Sequence, residues 1–221
     1  MKFVHPEIES VIDVDCGLVN EVVIENQKFF SSLVEDINLS INGIAGKTIL
    51  SIKDKSVDLS KYALTITEFA PLQLNKKTLI TKITQILEKE AINESNYVTA
   101  MELLAKIESF LLELGLELPC EIEFTKVNVG NLIKAMSPEI VEGDKPTIEK
   151  LFDFMEFVRE LEREKLFILI NARSYFSDED MESFVETILA HDQKVILLET
   201  QTRPKLNGTQ RLTIDKDLCE F

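Results

Sequence analysis

The sequence predicts an α/β protein: a head domain made from both ends of the chain, and a projecting, mainly α-helical leg. Three observations carry this. Lys165–Ile170 (KLFILI) and Lys194–Leu198 (KVILL) are continuous apolar runs of the kind buried on both faces of a parallel sheet, and a helical pattern separates them. Residues 19–24 (VNEVVI) add a Val/Ile-rich strand near the N-terminus. From about residue 75 the character changes to long helical periodicity with little Gly or Pro. The boundaries read as head 1–74 and 164–221, and leg 75–163.

Each element has a local reason. Asn26 is placed to cap a helix whose stripe is Phe29, Phe30, Leu33, Val34 and Ile37. Residues 37–42 and 48–53 flank Gly43–Gly46, which predicts a hairpin turn there. Residues 62–66 (YALTI) read as a strand. Leu79, Ile80, Ile83, Ile86 and Leu87 form one helical stripe, and Val98, Met101, Leu104 and Leu111 another. The break at Asn93–Asn96 makes them an antiparallel hairpin. A short helix is predicted over 130–136, and an acidic loop or short strand over 139–145. Pro146 suits the first turn of a helix over 147–163. Ser177 caps the next helix, and Asp178, Glu179 and Asp180 complement its dipole. Arg211–Ile214 is a last strand candidate.

Composition excludes several classes. The chain has 221 residues, 45% of them hydrophobic, which rules out disorder. Three widely spaced cysteines, Cys16, Cys120 and Cys219, form no CxxC pair, so neither a disulfide framework nor a zinc site is indicated. With no signal-peptide pattern and no long apolar span, the expectation is a cytoplasmic protein. The two histidines, His5 and His191, are far apart and make no ligand pair.

Gly43-Ile44-Ala45-Gly46-Lys47-Thr48 ends like a phosphate-binding loop. It has two residues between its glycines where such a loop needs four, and it leads into a strand rather than a helix. Strand 165–170 ends in Asn171, not in an acid that would hold magnesium, and Glu199 closes the other strand alone. No nucleotide hydrolysis is expected. Glu142, Asp144 and Glu149 surround a Gly- and Pro-containing bend, an oxygen-rich set suited to calcium; a solvated loop fits the same residues.

Charge is unevenly spread. Residues 41–89 hold eight lysines against four acids, a local +4 that leaves −19 for the rest of a chain of net charge −15. Lys76 and Lys77 begin the first long helix, and Lys82 and Lys89 lie on one side of it, off its apolar stripe. Such a cluster either solubilises the surface or contacts phosphate.

The stretch KLFILINARSYF (165–176), then SDEDM, KVILLETQTR and the final LTIDKDLCEF, resembles the small adaptation protein of type II-A CRISPR–Cas systems. The resemblance implies a head like a degenerate P-loop ATPase that has lost nucleotide binding, with a helical leg. It implies a homotetrameric ring stabilised by Ca2+ that holds double-stranded DNA in a basic channel and loads at free ends. The implied role is non-enzymatic, in spacer acquisition, with the adaptation integrase proteins and the RNA-guided nuclease as partners. With the basic window it points to Lys76, Lys77 and Lys82 for the channel, to which Lys89 is added from the same side of the helix as Lys82. By position it carries Glu142, Asp144 and Glu149 to the calcium chemistry, while Asn171 and Glu199 match as strand ends. Two other readings are a magnesium-dependent nuclease or nucleotide hydrolase of degraded P-loop type, and a scaffold without DNA contact. With four copies closing a ring around the basic window, the acidity constrains where DNA lies without excluding it.

Overall fold

The computed structural model describes residues 1–69, 72, 77–125, 128–141, 147–162 and 165–221. The chain divides into two compact units, Met1–Gln73 with Gly143–Phe221, and Leu74–Glu142.

In the first unit, β1 (Lys2–Val4) and β2 (Ile12–Asp13) precede β3 (Val19–Ile24), all six residues of which are buried. Helix α1 (Gln27–Ile41) follows, its Asn26 cap accepting the Phe29 amide at 3.0 Å. Then come β4 (Ile49–Ile52), β5 (Lys55–Val57), the single turn α2 (Leu59–Tyr62) and β6 (Ala63–Ile66). The second unit holds α3 (Lys77–Ala91), α4 (Tyr97–Gly115) and α5 (Val129–Ala135). The chain returns to the first unit through α6 (Thr147–Leu161), β7 (Leu166–Ile170), α7 (Asp178–Ala190), β8 (Lys194–Glu199) and β9 (Thr209–Ile214). Helix α6, which the sequence places in the leg, thus lies within the first unit.

Five strands form one parallel sheet in the order β6-β7-β8-β3-β9. The strand–helix–strand unit read at 165–198 is present, with β7 and β8 as parallel neighbours. One sheet face, carrying Val22, Ile24, Ile168, Ile170, Ile196 and Leu198, belongs to a core cluster with Phe29, Leu33 and Ile37 of α1. That cluster includes Phe3 and Leu50 of a second, antiparallel sheet, β2-β1-β4-β5. By strand alternation the other face presents Val23, Phe167, Leu169 and Leu197. Helices α6 and α7 pack against each other, and α7 against β3. Their Leu151, Met155, Met181 and Val185 are fully buried.

The hairpin predicted around Gly43–Gly46 is corrected. Residues 37–41 finish α1, and Gly43 terminates it at φ +76°. The Gly43 amide bonds Ser40 O at 3.1 Å and the Ile44 amide bonds Leu39 O at 3.0 Å, the bond pair that closes a helix on a left-handed glycine. A glycine that stops a helix and one that turns a hairpin look alike in sequence. The hairpin joins β4 to β5 instead, where Lys53 and Asp54 both take positive φ (50° and 59°). That is the two-residue turn whose twist matches paired strands.

Candidate functional site

The basic helix comes first. Of the four lysines assigned to DNA, Lys76 lies outside the described residues, while Lys77, Lys82 and Lys89 all stand on α3. Lys77 and Lys89 are exposed; Lys82 is half-buried and makes an interaction of its own. At about 100° per residue, Lys82 and Lys89 share one side and Lys77 lies roughly 120–140° around the helix from them. The three do not form a single stripe. Lys77 instead lines a groove of about 630 Å³ with Lys134 of α5, a residue the sequence reading missed. Thr81, Gln85 and Ser137 add polar groups, while Glu88 and Glu139 reduce the positive field. Lys134 stands alone among apolar neighbours in its helix, so no local pattern marks it. The basic window 41–89 is also divided: Lys47 and Lys61 belong to the first unit, where they pair with Glu7 at 3.0 Å and Asp58 at 3.7 Å.

Of the proposed calcium ligands, Glu142 and Asp144 lie outside the described residues. Glu149 is exposed in the first turn of α6, where a carboxylate favours the helix dipole. Among the described residues, no three His, Cys, Asp or Glu side chains gather to hold a metal ion.

In the Gly43–Thr48 segment the Lys47 and Thr48 donors are occupied from within. The Asp36 carboxylate of α1 accepts the Lys47 amide at 2.6 Å, the Thr48 amide at 2.8 Å and the Thr48 hydroxyl at 2.5 Å. Partial burial pushes the Asp36 carboxyl up. The bonds from Thr48 and Lys47 outweigh this and hold it below the usual carboxylate range.

A buried electrostatic cluster lies inside the parallel sheet. The Arg173 guanidinium, just after β7, donates to Glu21 Oε1 of β3 and to Asp178 Oδ1 of α7, each at 2.7 Å. Arg211, beside Glu21 on β9, reaches Glu21 Oε2 at 2.8 Å. The Arg173 amide donates to Glu199 Oε1 at 3.1 Å. Burial raises the Glu199 pKa to about 7, with Glu21 adding to it against the Arg173 amide. Asn171 takes a left-handed backbone (φ 56°), and its Oδ1 accepts the Thr200 amide and hydroxyl. Asn171 and Glu199 therefore tie the strand ends together. The sequence reading missed Glu21, Arg173 and Arg211, although Glu21 is the one charge in a Val/Ile-rich strand.

Comparison with known proteins decides the family. The family model for the CRISPR-associated protein Cas_Csn2 matches residues 41–218, well over half of the chain. The chain belongs to the Csn2 family. It is also 23% identical over 216 residues to the CRISPR-associated protein Csn2 of Streptococcus agalactiae, covering 94% of this chain and 93% of that protein. Csn2 is the type II-A adaptation protein, the family that the strand, loop and strand at 165–203 resemble. The Csn2 match takes in all of α3, the acidic residues Glu142, Asp144 and Glu149, and strands β4 to β9, whereas Glu21 and α1 up to Ser40 precede it. No helix among the described residues is long and apolar enough to cross a membrane.

Proposed function

We propose that this Csn2 protein is a non-enzymatic, double-stranded DNA-end-binding protein of spacer acquisition, working as a calcium-stabilised homotetrameric ring in the cytoplasm. Its head is read as a P-loop ATPase-like domain that has lost nucleotide binding. Its partners are the duplex, the adaptation integrase proteins and the RNA-guided nuclease. The observation that carries the reading is α3, with Lys77 and Lys89 exposed in a chain of net charge −15 and Lys134 lining the same groove as Lys77. Phosphate neutralisation by clustered ammonium groups gives sequence-independent affinity, which suits a protein handling DNA of any sequence.

Self-assembly is supported by α4. Leu103, Ile107, Phe110 and Leu114 recur at the spacing of a helix–helix seam, and Leu103, Phe110 and Leu114 are 51%, 58% and 60% exposed. The test is the salt dependence of binding to a linear duplex. Replacing Lys77 or Lys89 by Ala should lower the slope of log affinity against log salt by about 0.9 per lost phosphate contact. Unchanged slopes for both variants and for Lys134→Ala would remove α3 and its groove from the interface.

A further inference from the structure

The end of the Gly43–Thr48 loop directs its hydrogen-bond donors at one side chain. Two consecutive amides, Lys47 and Thr48, and the Thr48 hydroxyl converge on one carboxylate. His5, 2% exposed on the chain after β1, brings Nε2 to 3.8 Å from Asp36 Oδ2. Its Nδ1 accepts the Glu7 amide, which leaves the proton of the neutral ring on the nitrogen facing Asp36. The Lys47 ammonium is turned aside to Glu7 at 3.0 Å. Ser40, one turn beyond Asp36 on α1, is 9% exposed, and its hydroxyl has no hydrogen-bond partner among the described residues. It points at the loop: a Cβ on Gly46 would lie 2.1 Å from Ser40 Oγ and 3.0 Å from Asp36 Oδ1. Glycine at 46 is what lets the loop close over both side chains.

Consecutive amides and a hydroxyl converging on oxygens are the means by which loops hold phosphate or sulfate. Here the negative oxygens come from the protein itself. We infer that Gly43–Thr48 is an oxyanion-binding loop held shut in cis by Asp36, whose carboxylate stands where a phosphate or sulfate would be held. The lock explains how a loop with phosphate-binding residue types sits in this fold with its Lys47 and Thr48 donors satisfied and its lysine directed elsewhere. It does not depend on DNA binding or on ring formation.

The test uses the full chain and inorganic phosphate. Thermal midpoints are measured for wild type, Asp36→Ala and Asp36→Ala/Thr48→Val, in phosphate and in chloride at matched pH and ionic strength. Phosphate stabilises folded proteins generally, so the wild-type shift is the baseline. Asp36→Ala should gain about 2–4 °C beyond that baseline at millimolar phosphate, and the added Thr48→Val should remove much of the gain. If Asp36→Ala does not fold in chloride, recovery in phosphate that the added Thr48→Val abolishes supports the lock, and recovery that Thr48→Val leaves intact contradicts it. Should it fold in neither salt, Asp36→Asn, which keeps one acceptor, takes its place with a smaller expected gain. A phosphate shift equal to the wild-type baseline in the variant that folds would overturn the inference.

Discussion

Arg173 Nη1 meets Glu21 Oε1 at 2.7 Å inside the parallel sheet, with side chains 1% and 0% exposed and 152 residues apart in the chain. The pair joins β3 to the loop after β7, and Arg211 extends it to β9. It acts as a polar pin in an apolar core.

Breaking one side of such a pair strands a buried charge. Glu21→Leu, which leaves the Arg173 guanidinium buried without its carboxylate, should cost about 3–5 kcal/mol in urea unfolding, and Arg173→Met, which leaves Glu21 with Arg211, should cost less. The double variant Glu21→Leu/Arg173→Met should cost less than Glu21→Leu alone, because the Arg173 guanidinium is no longer left buried without its carboxylate. A double variant costing the sum of the two single changes would show that the residues do not act as a pair.

Glu199 gives a pH dependence whose sign can be worked out. Its folded pKa is raised, to about 7 against an ordinary 4.5, so between those values the folded state holds a proton that the unfolded state has released. Its stabilisation is fully present below pH 4.5 and is lost as pH rises to 7, by up to about 1.4 kcal/mol per pH unit. Glu199→Gln stays neutral. Its stability relative to wild type should therefore grow from pH 5 to pH 8; a constant gap in denaturant titrations would contradict the assignment.

His5 works in the opposite sense. Burial lowers its pKa below 6.5 despite the pull of Asp36 and Glu7. Its contribution is present above pH 6.5 and is lost as pH falls through the folded value. Below pH 6.5 the thermal midpoint of wild type should fall faster than that of His5→Phe. Parallel curves for the two proteins would place the acid sensitivity elsewhere.

The Lys53–Asp54 turn offers a stabilising change. Both residues hold positive φ, which lysine adopts at a cost and which Asn-Gly adopts readily. Lys53→Asn/Asp54→Gly should raise the thermal midpoint by a few degrees, although it removes the exposed Lys2–Asp54 pair. A lowered midpoint would mean that the exposed pair outweighs the turn.

What was legible in the sequence was local. The apolar runs of β3, β7 and β8, the Asn26 and Ser177 caps, and the helices α3 to α7 all follow from short-range pattern. The sheet β2-β1-β4-β5 did not, because strands of two to four residues pair across long separations, as Lys2 does with Ser51. Gly43 was misread because helix termination and hairpin turning demand the same left-handed glycine. Among the site residues, the lysines of α3 were visible as a charge pattern. Lys134 and the partners of Arg173 were not, since only the fold brings them into place. Lys76, Glu142 and Asp144 lie outside the described residues.

The α4 seam separates assembly from folding. Phe110→Glu changes an exposed residue, so the thermal midpoint should move little while self-association weakens. A molar mass equal to that of wild type at every concentration would exclude the seam as an assembly surface.

The most direct measurement is size-exclusion light scattering of the full chain with a linear duplex and with a closed circle of the same sequence, in calcium and in chelator. The account predicts a tetramer that binds linear duplex in calcium, binds closed circles far less, and loses DNA in chelator. A monomer, or equal binding to linear and circular duplex irrespective of calcium, would contradict it.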